Sequence, residues 1–178
     1  MATEFVPVTP QRQQDIAAVE REAYHLRTGL YDENDELKTL MSYHAANRYS
    51  FLLLDKEYKA YYMAALQDSL IRKEDAKQAL YISDFAVRTS AQGLRYGLSA
   101  VRELLRRAER DDVSSIEFHA RGTTSYSAIM LSQHTNELLG QYNYRLDEVS
   151  ASDIYSPDGQ WQESLHLISL EKIASHPL

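Results

Sequence analysis

One stretch, from Leu80 to Ala108, constrains this chain more than any other. Leu80 to Val87 is a strand-length, largely apolar run broken by Ser83 and Asp84. Thr89-Ser90-Ala91-Gln92-Gly93-Leu94-Arg95-Tyr96-Gly97 follows, and Leu98, Val101, Leu104, Leu105 and Ala108 then recur on one helical face. A buried strand that runs through a glycine-bearing loop straight into an amphipathic helix belongs to a mixed α/β fold. Such a helix start leaves amide N–H groups without partners and carries partial positive charge, so it favours an anion such as a pyrophosphate. Gly93 and Gly97 permit close backbone approach, and Arg88 and Arg95 are expected to add full positive charge nearby. A plain tight turn is the competing reading of the two glycines.

The flanking sequence supplies the other layers. Phe5-Val6-Pro7-Val8 reads as an edge strand because of its proline. Thr9 and Pro10 read as the N-cap and first turn of a helix that continues through Ile16, Val19 and Ala23. Past the acidic loop Asp32-Glu33-Asn34-Asp35-Glu36, the residues Leu37, Leu40, Met41 and His44 predict a second helix. Ser50 to Leu54 predicts a strand buried on both faces, with Tyr61 to Leu66 as its hairpin partner across Asp55-Lys56-Glu57. Ser69 to Ala79 reads as a polar, helix-prone surface excursion. Ile116, Phe118 and Ala120 alternate as a strand, Ala128 to Leu131 predicts a helix, and Tyr142 and Tyr144 alternate with Asn143 and Arg145 as a strand. Leu165 to Leu170 is the last. The whole, residues 1–178, is expected to be one domain around one sheet.

Composition narrows the function classes. The length of 178 residues fits one domain, against a prior of roughly 150 residues each. Nineteen Lys and Arg against 26 Asp and Glu give a formal charge of -7. That balance argues against a nucleic-acid partner and suits cationic small molecules or basic peptides. No run reaches the ~18 apolar residues of a membrane span, and Met1-Ala2-Thr3-Glu4-Phe5 lacks the start of a secretory signal. The chain has no cysteine, which removes disulfides and thiolate chemistry and agrees with a cytoplasmic location. His25, His44, His119, His134, His166 and His176 show no metal-ligand spacing, so no metal is expected. Each histidine reads as a surface or packing residue, with His119 alternatively lining a cleft. Arg102, Arg106 and Arg110 read as a solvated helix face.

The strand–loop–helix segment resembles the GNAT superfamily of acyl-CoA-dependent N-acyltransferases. Phe85-Ala86-Val87 fits the end of the family's signature strand. Gln92-Gly93-Leu94-Arg95-Tyr96-Gly97 fits its Arg/Gln-x-x-Gly-x-Gly/Ala loop in register, with Arg95 in place of the middle glycine. The element order agrees along most of the chain. The resemblance implies a mixed, mostly antiparallel central sheet flanked by helices, with a splayed strand pair for CoA.

It also implies acetyl-CoA as co-substrate and an amine as acceptor, with no nucleic acid or membrane partner and a homodimer left open. Phe85, Ala86 and Val87 would pair with the pantetheine, and the amides of Gln92, Gly93, Leu94, Arg95, Tyr96, Gly97 and Leu98 would hold the pyrophosphate. Ser125 stands where the family often has an asparagine and is assigned to the cofactor. The family's tyrosine general acid falls on Ser132, so nearby Tyr126 takes that role. Asp84 is the expected base or substrate orienter, unless its carboxylate holds a neighbouring backbone group or arginine. The acidic loop would help wall the acceptor site. Three functions remain: an N-acetyltransferase for a small cationic amine or a protein amino group, a GNAT-like binding or partner module that has lost transfer, or an acyltransferase using a longer acyl chain. Arg95, Ser125 and Ser132 favour the second.

Overall fold

The computed structural model describes residues 3–24, 41–45, 47–72, 77–92, 95–121, 133–155 and 162–173. The strands are β1 (Glu4–Pro7), β2 (Phe51–Asp55), β3 (Glu57–Asp68), β4 (Gln78–Val87), β5 (Ser115–Arg121), β6 (Tyr144–Tyr155) and β7 (Gln162–Lys172). The helices are α1 (Gln13–Tyr24), α2 (Tyr96–Arg110) and α3 (Gln133–Gln141), and residues 41–45 are helical as well. The strands form one seven-stranded sheet in the order β1-β2-β3-β4-β5-β7-β6. The sheet is mostly antiparallel, as the ladders β1–β2, β2–β3, β5–β7 and β6–β7 show. The β4–β5 ladder is parallel and has three register pairs, Leu80 with Ile116, Tyr81 with Glu117 and Ile82 with Phe118.

Two compact units emerge: residues 1–65 with 83–104, and residues 66–82 with 105–178. In the first, Val6, Val8, Ile16, Ala17, Val19, Met41, Leu52, Tyr61, Met63 and Ala86 form one buried cluster. The helical spacing of Ile16 and Val19 and the alternation of Tyr61 with Met63 put these residues on one side of their elements. Pro7 pairs with Phe51 on the outermost strand, the position where a residue without an N–H is tolerated. Thr9 differs from expectation: its side chain makes no capping bond, and it opens the 3-10 turn Pro10–Arg12, with Arg12 N–H donating to its carbonyl at 2.9 Å.

In the second unit, α2 ends in a Schellman arrangement. Val113 N–H donates to Ala108 O at 2.9 Å and Asp112 N–H to Glu109 O at 3.1 Å, with Asp112 at φ 55°. Two sequence expectations change here. Ser69 is buried rather than part of a surface excursion, and β4 already begins at Gln78. Tyr142 lies in a turn completed by Asn143 at φ 57°, so β6 starts only at Tyr144. The predicted helix at Ala128 to Leu131 falls outside the described residues.

Candidate functional site

The C-terminal half of β4 is anchored by aromatic packing. Phe85 stacks on Tyr62 with ring centroids 5.2 Å apart, and Tyr62 stacks on Phe51 at 5.6 Å. Ala86 is buried on the other face, and Arg88 N–H donates to Lys59 O at 2.9 Å. The chain then makes a 3-10 turn, Thr89–Ala91, in which Ala91 N–H bonds Arg88 O and Gln92 N–H bonds Thr89 O. The Gln92 backbone donor is thus used inside the turn, at 3.2 Å. Its side-chain Nε2 lies 3.4 Å from Val87 O, a weak contact. Gly93 and Leu94 lie outside the described residues.

Helix α2 starts close to β4. A Cβ on Gly97 would sit 3.6 Å from Val87 Cγ2, an ordinary van der Waals distance. Ser99 N–H donates to Arg95 O at 2.9 Å, and the amides of Tyr96, Gly97 and Leu98 form the open end of the helix. Tyr96 donates its hydroxyl to Asp55 Oδ2 at 2.5 Å, tying the helix start to the β2–β3 turn. That hydrogen bond, with smaller help from desolvation, raises the Tyr96 phenol above its ordinary pKa. Arg95 is exposed and holds φ 66°, a left-handed conformation that a residue with a Cβ adopts at a cost. The backbone thus keeps a glycine-type geometry where the side chain is arginine. We expect Arg95→Gly to raise stability by about 1 kcal/mol, read as a higher urea midpoint; a lower midpoint would mean that the guanidinium makes a stabilising contact.

Arg88 does not supply free positive charge here. Its Nη1 donates to Glu22 Oε2 at 2.7 Å and its Nε to Tyr58 O at 2.6 Å. Glu22 Oε1 accepts from Ser90 N–H at 2.9 Å and from its hydroxyl at 2.5 Å, while Thr89 Oγ1 donates to Glu22 O at 2.8 Å. The last turn of α1 is therefore clamped onto the turn after β4. Ser90's hydrogen bonds, then those of Arg88, hold the Glu22 carboxyl down at about 2. A carboxyl depressed in the folded state stabilises the protein above its unfolded pKa and loses that contribution as pH falls toward the folded value. Glu22→Gln should therefore lower the melting temperature at pH 7, with the gap from wild type closing between about pH 4.5 and pH 2. A gap that persists unchanged at pH 2 would contradict the clamp.

Tyr61, fully buried, donates its hydroxyl to Asp84 Oδ2 at 2.9 Å. Beside it Ser83 lies 3.0 Å from Met63 O and 3.1 Å from His44 Nε2, and His44 Nδ1 lies 2.9 Å from Ser50 Oγ. His44 is buried, and desolvation pushes its imidazole below the usual histidine pKa. Tyr126, Ser125 and Ser132 lie outside the described residues.

A second polar cluster sits in the other unit. Glu117 is buried and accepts hydrogen bonds from the Ser69 hydroxyl and from Leu70 N–H at 2.7 Å. Tyr81 pairs in register with Glu117, and its hydroxyl lies 2.7 Å from Nδ1 of His119. Burial, then the Glu117 charge, raises the Tyr81 phenol; burial lowers His119, partly opposed by Glu117. Both groups are thereby kept neutral near pH 7. Tyr81 was missed from the sequence because its partner depends on the parallel register of two strands whose paired residues, Leu80 with Ile116 and Tyr81 with Glu117, lie 36 positions apart. Among the described residues no cluster of His, Asp and Glu could hold a metal ion, and no helix is long and apolar enough to cross a membrane.

No family model matches this chain and no curated protein is significantly similar in sequence, whereas the fold has many counterparts among solved structures. It matches the ribosomal-protein-S18-alanine N-acetyltransferase of Escherichia coli over 99% of each chain, with a TM-score of 0.63 and 14% identity. It matches the polyamine N-acetyltransferase of Drosophila melanogaster over 96% of this chain and 100% of that one, at 0.64 and 14%. Arabidopsis thaliana Naa50, solved with the bisubstrate analogue CoA-Ac-MVNAL, matches over 95% of this chain and 98% of its own, at 0.62 and 13%. Identities this low establish a shared fold.

Proposed function

We propose that this chain, which has the fold of the GNAT superfamily of N-acetyltransferases, is a single acetyltransferase domain over residues 1–178 that acts in the cytoplasm on an amine. The observation that carries the reading is the backbone at the start of α2. It keeps the glycine-type φ of 66° at Arg95 and sets Gly97 beside Val87 of β4, although the sequence departs from the family's loop. The residues present fit a pyrophosphate: the amides of Tyr96, Gly97 and Leu98 end a helix, and no side chain on Gly97 fills the approach. Phe85, Ala86 and Val87 would offer main-chain groups to the pantetheine, with Phe85 fixed by its stack on Tyr62. When bound, acetyl-CoA supplies a thioester carbonyl that the acceptor nitrogen attacks.

This chain's own residues then handle charge and protons. An amine is protonated at neutral pH and must lose a proton before it can attack. Asp84, held by Tyr61, draws and orients the ammonium. A base or a water chain must take that proton, and Tyr126 is assigned to return one to the departing thiolate. The net charge of -7 supports a cationic acceptor, a small polyamine or a basic peptide terminus. The test is incubation with acetyl-CoA and a panel of polyamines and peptides, read by mass spectrometry of the acceptor. An acetylated amine whose yield depends on the protein supports the reading. Its absence across the panel, with CoA bound, transfers the proposal to a CoA-binding module without transfer chemistry.

A further inference from the structure

Two carboxylates bond the two ends of a loop assigned to an anion. Glu22 lies in the last turn of α1, and Asp55 ends β2. By charge alone each would oppose a diphosphate. Their hydrogen bonds give another reason for their places.

Glu22 holds the end of the loop that leaves β4. One of its oxygens accepts from both the amide and the hydroxyl of Ser90, and the other accepts from Arg88 Nη1 at 2.7 Å. Arg88 also donates from Nε to Tyr58 O at 2.6 Å and from its N–H to Lys59 O at 2.9 Å. The turn is thus fixed to β3 as well as to α1. The amides of Arg88, Ser90, Ala91 and Gln92 all have partners within the protein. Asp55 holds the end of the loop that enters α2, where it accepts the Tyr96 hydroxyl. Only Gly93, Leu94 and Arg95 separate Gln92 from Tyr96 in the sequence. Asp55, Tyr58 and Lys59 belong to one hairpin, β2 with β3, so both ends of the loop are tied to the same support.

We propose that Glu22 and Asp55 are positioning residues for the diphosphate of the cofactor, fixing both ends of the β4–α2 loop before the ligand arrives. The charge of Arg88 serves that hold and not the ligand. The inference rests on the acetyl-transfer reading for the identity of the ligand. A loop ordered in advance loses little freedom on binding, so affinity depends on bonds that lie outside the ligand's contacts. The sign of the effect separates this role from electrostatics. Replacing Glu22 by alanine deletes a negative charge and releases a guanidinium, and by charge alone both changes would tighten an anion. Loss of the hold weakens it instead.

The test is calorimetric titration of the full chain with CoA, well below the melting temperature of every variant. Glu22→Ala and Tyr96→Phe should each weaken CoA by about tenfold, the second without any change of charge. Glu22→Gln keeps an oxygen for Ser90 and should stay within about threefold of wild type. Tyr144→Phe is the control, since it removes a buried hydrogen bond in the other unit, from the Tyr144 hydroxyl to Val113 O at 2.6 Å. It should lower the melting temperature and leave CoA affinity within about twofold. Unchanged or tighter binding in Glu22→Ala, or a loss in Tyr144→Phe as large as in Tyr96→Phe, would overturn the proposal alone. A wild type that binds no CoA would overturn the acetyl-transfer reading and the proposal with it.

Discussion

Gly97→Trp is expected to weaken acetyl-CoA binding by at least about 100-fold, roughly 2.7 kcal/mol of binding free energy. A Cβ at Gly97 would already lie in van der Waals contact, 3.6 Å from Val87 Cγ2. The remaining indole would have to turn out over the open amides of Tyr96, Gly97 and Leu98, the ground assigned to the pyrophosphate. Gly97→Ala is the control: its methyl meets Val87 at an ordinary distance, so affinity should fall by no more than about threefold, within what one small surface change costs. Circular dichroism of both variants separates a blocked site from a lost fold. A folded Gly97→Trp protein that binds acetyl-CoA as tightly as wild type would remove the anion assignment from the start of α2.

The second large effect is on the acceptor side. Asp84→Asn keeps the shape of the side chain and removes its charge, so the ammonium loses its counter-ion while Tyr61 keeps an oxygen to donate to. The expected result is a fall of about 100-fold in kcat/KM for a cationic amine, carried mainly by KM, with acetyl-CoA affinity unchanged. Tyr61→Phe should cost about tenfold or less, because it frees the carboxylate to turn without removing it. If Asp84→Asn retains full kcat/KM, the carboxylate serves the core beneath it and not the acceptor.

Much of the fold was legible because strands and helices announce themselves by local periodicity. The run Leu80 to Val87, the helical face of Leu98 to Ala108 and the edge proline Pro7 all depend on residues a few positions apart, and all appear where their spacing places them. Thr9 and Tyr142 show the limit of that reasoning. A threonine before proline suits a helix cap, but here it opens a 3-10 turn. Tyr142 keeps the alternation of a strand, yet the left-handed Asn143 ends the turn one residue later.

The chemistry of the site was harder to read, since its partners come from distant positions. Arg88 looked like an anion ligand until Glu22, 66 positions earlier in the sequence, was found paired with it. Ser83 looked like half of a plain polar break in an apolar strand. Its hydrogen bonds to His44 and Met63 depend on where another helix and another strand meet β4, which no local pattern encodes. His119 was noticed as a candidate cleft residue, but its pairing with Tyr81 follows from a register of strands joined through α2. Fold therefore came from spacing, and the polar pairings of β4 came from assembly.

The measurement that bears most directly on this account is calorimetric titration of the purified chain with acetyl-CoA, with free CoA and ATP run beside it. The account predicts saturable binding of acetyl-CoA and CoA in the micromolar range and much weaker binding of ATP, because the pantetheine arm needs β4 as well as the helix start. Equal affinity for all three, or binding of none, would contradict it.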